Sequence, residues 1–135
     1  MAVEQMDIID QSDAAQARHR VRWHAQQLGF GLTDTTKLIT VTSELTRNML
    51  RYAGGGAVSI EPLTTPQGSG LRIIFEDVGP GIPDLQQAMQ DGFSTGKGLG
   101  LGLPATKRLV HQFNIWSEPG QGTKITVTMW KHPTR

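Results

Sequence analysis

The sequence has no cysteine among its 135 residues and no surplus of charge of one sign, since 13 lysine and arginine residues are balanced by 12 aspartate and glutamate residues. The absence of cysteine excludes a disulfide framework, a thiol nucleophile and every cysteine-ligated metal site. A net charge of only +1 argues against broad nucleic-acid binding, because surfaces that bind nucleic acid usually carry a basic surplus. We therefore expect no nucleic-acid partner.

Long apolar runs are also absent. No uncharged apolar stretch approaches the roughly 18–20 residues of a membrane span. The N-terminus has neither the basic nor the apolar region of a signal peptide. We therefore expect a cytoplasmic protein without a membrane partner, folded as a single domain over residues 1–135.

Glycine is present in excess and is unevenly distributed. Five of the 16 glycines fall between Gly92 and Gly102, whereas none occurs before Gly29 or within Leu32–Ala53. Clustered glycine is typical of backbone that turns sharply or lies close to a ligand. The stretches without glycine are predicted to be the regular helices and strands.

The first half of the sequence predicts two long amphipathic helices. Ser12 is expected to cap the first helix, which ends at Gly29, and Thr33 to cap the second, which ends at Gly54–Gly56. The remaining predictions are strands at Val3–Ile9, Val58–Ile60, Leu71–Asp77, Asn114–Glu118 and Lys124–Lys131, and helices at Pro83–Met89 and Leu101–Phe113.

The order of these elements indicates the fold class. Strands and helices are mixed without regular β-α-β alternation, which favours an α+β fold. In the last strand Ile125, Val127 and Met129 alternate with polar residues, so that one face of the sheet is expected to be covered. We predict a two-layer α/β sandwich, with a largely antiparallel mixed sheet and helices on one face.

The second predicted helix carries a carboxylate and an amide on its polar face. Glu44 and Asn48 are four residues apart and therefore lie one turn from each other on the same side. An asparagine oxygen is a suitable ligand for magnesium, and a glutamate can orient or deprotonate a nucleophile. Taken alone, such a pair is more often part of a solvated helix face.

A second candidate feature follows the strongly apolar strand, which ends in Asp77 and continues to Gly79 and Gly81. A carboxylate at the end of a strand can accept a hydrogen bond from the exocyclic amine of adenine, and the glycines let the backbone lie against a flat ring. A plain turn is an equally natural interpretation. The dinucleotide-binding fingerprint is excluded, because Asp84 stands where its third glycine is required.

A third feature is the alternation of glycine with leucine or lysine from Gly96 to Leu103. Successive amides before a helix form an anion site, for which a triphosphate is a natural ligand, and Lys97 adds a positive charge. A P-loop is excluded, because Gly98 stands where a serine or threonine must follow the lysine, and the glycine spacing is one residue short. The apolar leucines disfavour a flexible linker.

Together and in this order, the three features resemble the GHKL ATPase superfamily with its Bergerat nucleotide-binding fold. The resemblance covers Thr33–Lys131 and includes a late Gly-x-Gly-Thr segment that ends at Thr123. It implies that the chain binds ATP and Mg2+, with Asn48 as the metal ligand and Thr123 near adenine. The nucleotide-binding residues that it implies are Asn48, Asp77, Gly79, Gly81, Lys97, Gly98, Leu99, Gly100, Leu101, Gly102 and Thr123.

A narrower resemblance is to the small serine kinases of bacterial partner-switching systems, which also act as anti-sigma factors. It is carried by Ser43–Asn48, Glu76–Asp84 and Asp91–Thr95. It implies an ATP-dependent serine/threonine protein kinase that phosphorylates a STAS-domain protein (an anti-sigma-factor antagonist or a stressosome-like protein) in stress or sigma-factor regulation. A phosphatase or a sigma factor is then the expected second partner. The alternative is a nucleotide-gated anti-sigma factor or partner-sequestering module without significant kinase activity.

The resemblance also implies roles within the site. Glu44 is expected to accept the proton of the substrate hydroxyl, while Lys97 and amides of the glycine segment stabilise charge on the transferred phosphoryl group. Residues from about Ile82 to Gly98 are expected to form a lid. Arg47 has two interpretations, a contact with phosphate or a partner, or a solvated helix charge. An exposed Trp23 would indicate a protein interface.

Overall fold

The computed structural model of the chain describes residues 3–82, 89–90 and 102–131. Most of the predicted lid, and nearly all of the short helix predicted at Pro83–Met89, lie outside these ranges. The elements within them are, in chain order, β1 (Glu4–Ile8), α1 (Gln11–Leu28), α2 (Leu32–Ala53), β2 (Gly56–Thr65), β3 (Gly68–Asp77), α3 (Leu103–Leu109), β4 (Gln112–Glu118) and β5 (Gly122–Trp130).

The strands form one sheet in the order β1-β2-β3-β5-β4, and each neighbouring pair is antiparallel. Alternate residues of β3 and β5 are buried on one face, against the apolar stripes of α1 and α2. The predicted α+β fold is therefore confirmed. The core side chains that these two strands contribute are Leu71, Ile73, Phe75, Ile125, Val127 and Met129.

The ends of the first helix depend on polar side chains and on glycine. The prediction that Ser12 caps α1 is wrong, because the N-cap is Asp10, whose carboxylate accepts the N–H of Asp13 at 3.1 Å. The Asp13 carboxylate in turn accepts the N–H of Asp10 at 3.3 Å, so each residue satisfies an amide of the other. At the other end Gly29 adopts the left-handed conformation, with φ of 83°, and terminates the helix as predicted.

The start of α2 also differs from the prediction. Its N-cap is Gly31 instead of Thr33, and no side chain caps it. The tight end of α1, where the N–H of Phe30 bonds to the carbonyl of Ala25 at 2.9 Å, leaves a connection so short that α2 begins earlier. The helix ends at Gly54, as predicted. Within the described ranges neither long helix has the apolar length to cross a membrane.

Pairing in the sheet makes the middle strands longer than the sequence predicts. β2 has ten residues, whereas the pattern predicts only Val58–Ile60. The expected link Thr64–Gly70 reduces to a turn at residues 66–67, because Thr65 pairs with Gly68. Hydrogen bonds to β3 therefore extend β2 to residues whose own strand preference is weak.

The third helix is shorter than predicted. α3 ends at Leu109, well before the predicted Phe113, and β4 begins at Gln112. The N–H of His111 bonds to the carbonyl of Thr128 on β5 at 3.1 Å, which draws this part of the chain into the sheet. The described part of the helix buries Leu103 and Thr106.

The buried stripe of α2 is expected to provide much of the stability of the fold. Leu38 is completely buried in the core, whereas Leu32 on the same helix is 84% exposed. Leu38→Ala is expected to lower the free energy of unfolding by about 2–5 kcal/mol, because it removes apolar contacts and leaves a cavity. Urea denaturation measures this loss. Leu32→Ala is the matched control and should change stability little, and equal losses in the two variants would contradict the assigned face of α2.

Candidate active site

Glu44 lies in the middle of α2, beside the start of α3. Its side chain is only 20% exposed. The carboxylate lies against Gly102, since a Cβ atom added to that glycine would be 2.9 Å from Glu44 Oε2. Gly102 also has φ of 63°, a left-handed conformation that side chains disfavour. The Glu44 carboxylate can therefore lie next to the backbone of the glycine-rich segment because residue 102 is a glycine and has no side chain in the way.

Arg47 forms an ion pair with Glu44. Its Nη2 atom donates to Glu44 Oε1 at 2.8 Å, and the arginine side chain is 59% exposed. Because solvent screens the arginine end of this pair, the pair is expected to contribute little to stability. The solvated helix charge predicted as one interpretation agrees with this exposure, and the pairing with Glu44 is a contact that the sequence did not predict.

Asn48 lies one turn after Glu44 on the same helix and is half-buried. The rise of an α-helix puts the two Cα atoms roughly 6 Å apart along the axis. An amide oxygen and a carboxylate thus lie on one side of α2. Both are oxygen donors of the kind that magnesium prefers.

Asp77 is the last residue of β3, on the face of the sheet that the helices cover. One of its oxygens, Oδ1, accepts the N–H of Gly79 at 2.9 Å. Burial raises the pKa of Asp77 above its ordinary value, and hydrogen bonds from the amides of Gly79 and Thr123 oppose that rise. None of the ion pairs among the described residues involves Asp77. The site therefore favours a ligand that brings a hydrogen-bond donor to this carboxylate.

The loop after Asp77 lies against the end of α2. A Cβ atom on Gly79 would be 2.8 Å from the Cα atom of Ala53, so the two backbones meet more closely than any side chain at position 79 allows. Ala53 is the last residue of α2. The helix that carries Glu44 and the loop that follows Asp77 are therefore neighbours in the folded chain.

The first and last glycine motifs form one structural unit at the end of the sheet. Gly81 lies against the backbone of Glu118. The N–H of Gly120 donates to the carbonyl of Pro80 at 2.7 Å, and the N–H of Ile82 donates to Ser117 Oγ at 2.8 Å. The loop after β3 is thus tied to β4 and to the turn between β4 and β5.

Thr123 lies directly opposite Asp77 in the pairing of β3 with β5, and opposite Ser117 in the pairing of β4 with β5. The hydroxyl oxygens of Ser117 and Thr123 are 3.0 Å apart. Sequence reasoning missed Ser117. The available signal was its position two residues after Ile115 in an alternating strand, which puts a polar side chain on the covered face.

The structure joins the predicted site residues into two groups. Glu44 meets Gly102, while Asp77, Gly79, Gly81 and Thr123 share the end of the sheet, and the contact of Gly79 with Ala53 connects the groups through α2. Trp23, whose exposure was predicted to indicate an interface, is 44% exposed. The predicted residues that lie outside the described ranges are Lys97, Gly98, Leu99, Gly100 and Leu101.

Comparison with known proteins defines the class of this protein. Residues 33–133 match the family described as histidine kinase-, DNA gyrase B-, and HSP90-like ATPase. This match covers more than half of the chain, and the α+β fold agrees with that family. The chain therefore belongs to the histidine kinase-, DNA gyrase B- and HSP90-like ATPase family.

Two individual relatives indicate which type of protein within this family the chain resembles. The chain is 46% identical over 123 residues, 91% of its length and 92% of the relative's, to the serine/threonine-protein kinase RsbT of Bacillus subtilis. It is 30% identical over 117 residues, 83% of its length and 80% of the relative's, to the anti-sigma F factor of Bacillus licheniformis. The chain is therefore a protein kinase of this family, similar in type to RsbT. Both resemblances drawn from the sequence are confirmed.

Proposed function

We propose that this kinase transfers the γ-phosphoryl group of ATP to a serine or threonine hydroxyl of a STAS-domain protein, in a bacterial partner-switching pathway that regulates stress responses or sigma factors. Residues 1–135 act in this proposal as one ATP-binding kinase domain. The observation that supports it most is the position of the Glu44 carboxylate against Gly102. A proton acceptor there adjoins the glycine segment, whose amides are the proposed phosphate ligands.

The amide oxygen of Asn48 on α2 is a suitable ligand for a magnesium ion. In the proposed complex Asn48 would hold the ion through its amide oxygen. When bound, the ion supplies positive charge that neutralises the phosphates during transfer. The Glu44 carboxylate is assigned to the substrate and not to the ion, because it lies against Gly102.

The remaining residues act on the base and on the phosphates. Asp77 accepts a hydrogen bond from the adenine amine, with Thr123 beside it in the adjacent strand. Lys97 and the amides of Gly98–Gly102 stabilise the negative charge that spreads over the phosphoryl group.

Label transfer tests this proposal. The purified chain is incubated with Mg2+, with ATP labelled at the γ-phosphate, and with a STAS-domain protein encoded by a neighbouring gene. The expected result is label on a serine or threonine of the STAS-domain protein, located by mass spectrometry. ATP labelled at the α-phosphate is the control and should transfer no label. Absence of both transfer and complex formation with every such STAS-domain protein would contradict the proposed substrate class.

A second candidate function is a nucleotide-gated anti-sigma factor or sequestering module. It is favoured by the 30% identity to a protein named anti-sigma F factor. Such a module binds its partner in a nucleotide-dependent way but needs no proton acceptor. A stable complex with a sigma factor or a STAS-domain protein, formed with ATP and without label transfer, would support this function over the kinase.

A further inference from the structure

Ser117 makes three polar contacts at the end of the sheet. Its hydroxyl oxygen accepts the N–H of Ile82 at 2.8 Å and donates to the carbonyl oxygen of Gly122 at 3.0 Å. The same oxygen lies 3.0 Å from Thr123 Oγ1. Ser117 therefore joins the loop that follows β3 to the strand that carries Thr123.

The number of hydrogens decides the direction of the contact between the two hydroxyls. A serine hydroxyl has one hydrogen to donate and two lone pairs that accept. When the Ser117 hydrogen is donated to Gly122, the lone pairs receive the amide hydrogen of Ile82 and the hydroxyl hydrogen of Thr123. This is the arrangement that satisfies all three contacts at once. It leaves only lone pairs on the Thr123 hydroxyl for any further partner.

Thr123 and Asp77 point to the same side of the sheet, because they lie directly opposite each other in neighbouring strands. The hydroxyl and the carboxylate then both accept hydrogen bonds. We propose that Ser117 is a positioning residue that fixes Thr123 as an acceptor, so that this edge of the pocket selects a nucleotide whose base carries an amino group. This inference rests on the proposed function, in which adenine lies at Asp77.

ATP and inosine triphosphate are the probes that isolate this edge. The two nucleotides have the same ribose and phosphates, but the base of inosine has a carbonyl oxygen in place of the adenine amine and a hydrogen on the neighbouring N1. Both differences are the same for the wild type and its variants, so a change in the preference between variants reports on this edge. A carbonyl oxygen that faces two acceptors loses its hydrogen bond to water and gains none in return. We expect the wild-type chain to bind ATP about 100-fold more tightly than inosine triphosphate.

The test is the ratio of the two dissociation constants in the Ser117→Ala variant, measured by calorimetry on the full chain with Mg2+. Without Ser117 the Thr123 hydroxyl regains a free hydrogen and can donate it to the inosine carbonyl. The preference for ATP is therefore expected to fall about tenfold. Ser59→Ala is the matched control, since Ser59 is a strand serine whose hydroxyl accepts from Gln5 Nε2 at 3.3 Å, away from this pocket.

A second variant keeps the inference testable if Ser117→Ala does not fold. Thr123→Val removes the acceptor while keeping the shape of the side chain, and it should reduce the ATP preference to a similar extent. In the double variant Ser117→Ala/Thr123→Val the preference should fall no further than in Thr123→Val, because Ser117 acts through Thr123.

The possible outcomes separate this inference from the proposed function. If the wild type prefers ATP but folded Ser117→Ala binds both nucleotides more weakly by the same factor, Ser117 has only a structural role and the inference is wrong. An unchanged ATP preference in Thr123→Val would also overturn it. If the wild type binds neither nucleotide, the proposed function fails first, and the inference fails with it.

Discussion

Glu44→Gln is expected to lower the rate of phosphoryl transfer by about 10²–10⁴-fold while ATP stays bound. Glutamine keeps the size of the side chain and a polar oxygen next to Gly102, but it does not accept a proton from the substrate hydroxyl. Single-turnover label transfer at saturating ATP measures the rate. Calorimetry measures the ATP dissociation constant, which is expected to change little because the carboxylate is assigned to the substrate.

Two control variants make this result interpretable. Glu61 also pairs with an arginine, Arg72, at 3.3 Å, so Glu61→Gln removes a paired carboxylate outside the site and should keep normal transfer. Arg47→Ala removes the ion pair of Glu44 while the carboxylate remains, and it should keep at least about a tenth of the activity, because the proposed proton acceptor is unchanged. Full transfer by Glu44→Gln with ATP bound would exclude Glu44 as the proton acceptor.

Asp77→Asn is expected to weaken ATP binding about 100-fold, because hydrogen bonds to charged groups are stronger than those between neutral groups. Asparagine still offers an oxygen to the N–H of Gly79, so the local turn should persist. Calorimetry with ATP and Mg2+ measures the change. Asp7→Asn, which alters an exposed carboxylate on β1, is the matched control and should bind ATP normally. Unchanged affinity in Asp77→Asn would contradict the assignment of adenine to this carboxylate.

Asp77→Asn is also expected to change how the stability of the chain depends on pH. Burial raises the pKa of Asp77 above 3.8, so the ionised carboxylate is less favourable in the folded chain than in the unfolded chain. The contribution of Asp77 to stability is fully present below pH 3.8, its ordinary pKa, and is lost as the pH rises through the raised pKa of the folded chain. Without nucleotide, Asp77→Asn should therefore unfold at pH 7 at a temperature equal to or above that of the wild type, and this advantage should disappear in acid. A clearly lower unfolding temperature at pH 7 would show that Asp77 stabilises the fold.

Several features were predictable because they depend on neighbours in the sequence. The stripe of apolar residues along α2 predicted that helix, and the glycines at positions 29 and 54 predicted where α1 and α2 end. The spacing of Glu44 and Asn48 put them on one face for the same reason, since helical periodicity is a local property. The apolar run that ends in Asp77 likewise predicted a strand with a carboxylate at its end.

Other features were mispredicted because several local solutions compete. Asp10, Ser12 and Thr33 are all suitable capping residues, and the choice of Asp10 depends on the reciprocal bond with Asp13. The length of β2 depends on its pairing with β3, which supplies hydrogen bonds to residues that would otherwise form a loop. Patterns in one segment do not contain this information.

The residues alone determined the class of fold, the family and the chemical types at the site, because periodicity, glycine placement and motif order are written along the chain. Only the folded chain decided which of these groups meet. Glu44 contacts Gly102, and Ser117 contacts Thr123 and Ile82. The partners in these contacts lie far apart in the sequence or on different strands. Such contacts depend on how helices and strands are arranged in three dimensions, and that arrangement results from burial of the common core rather than from any single motif.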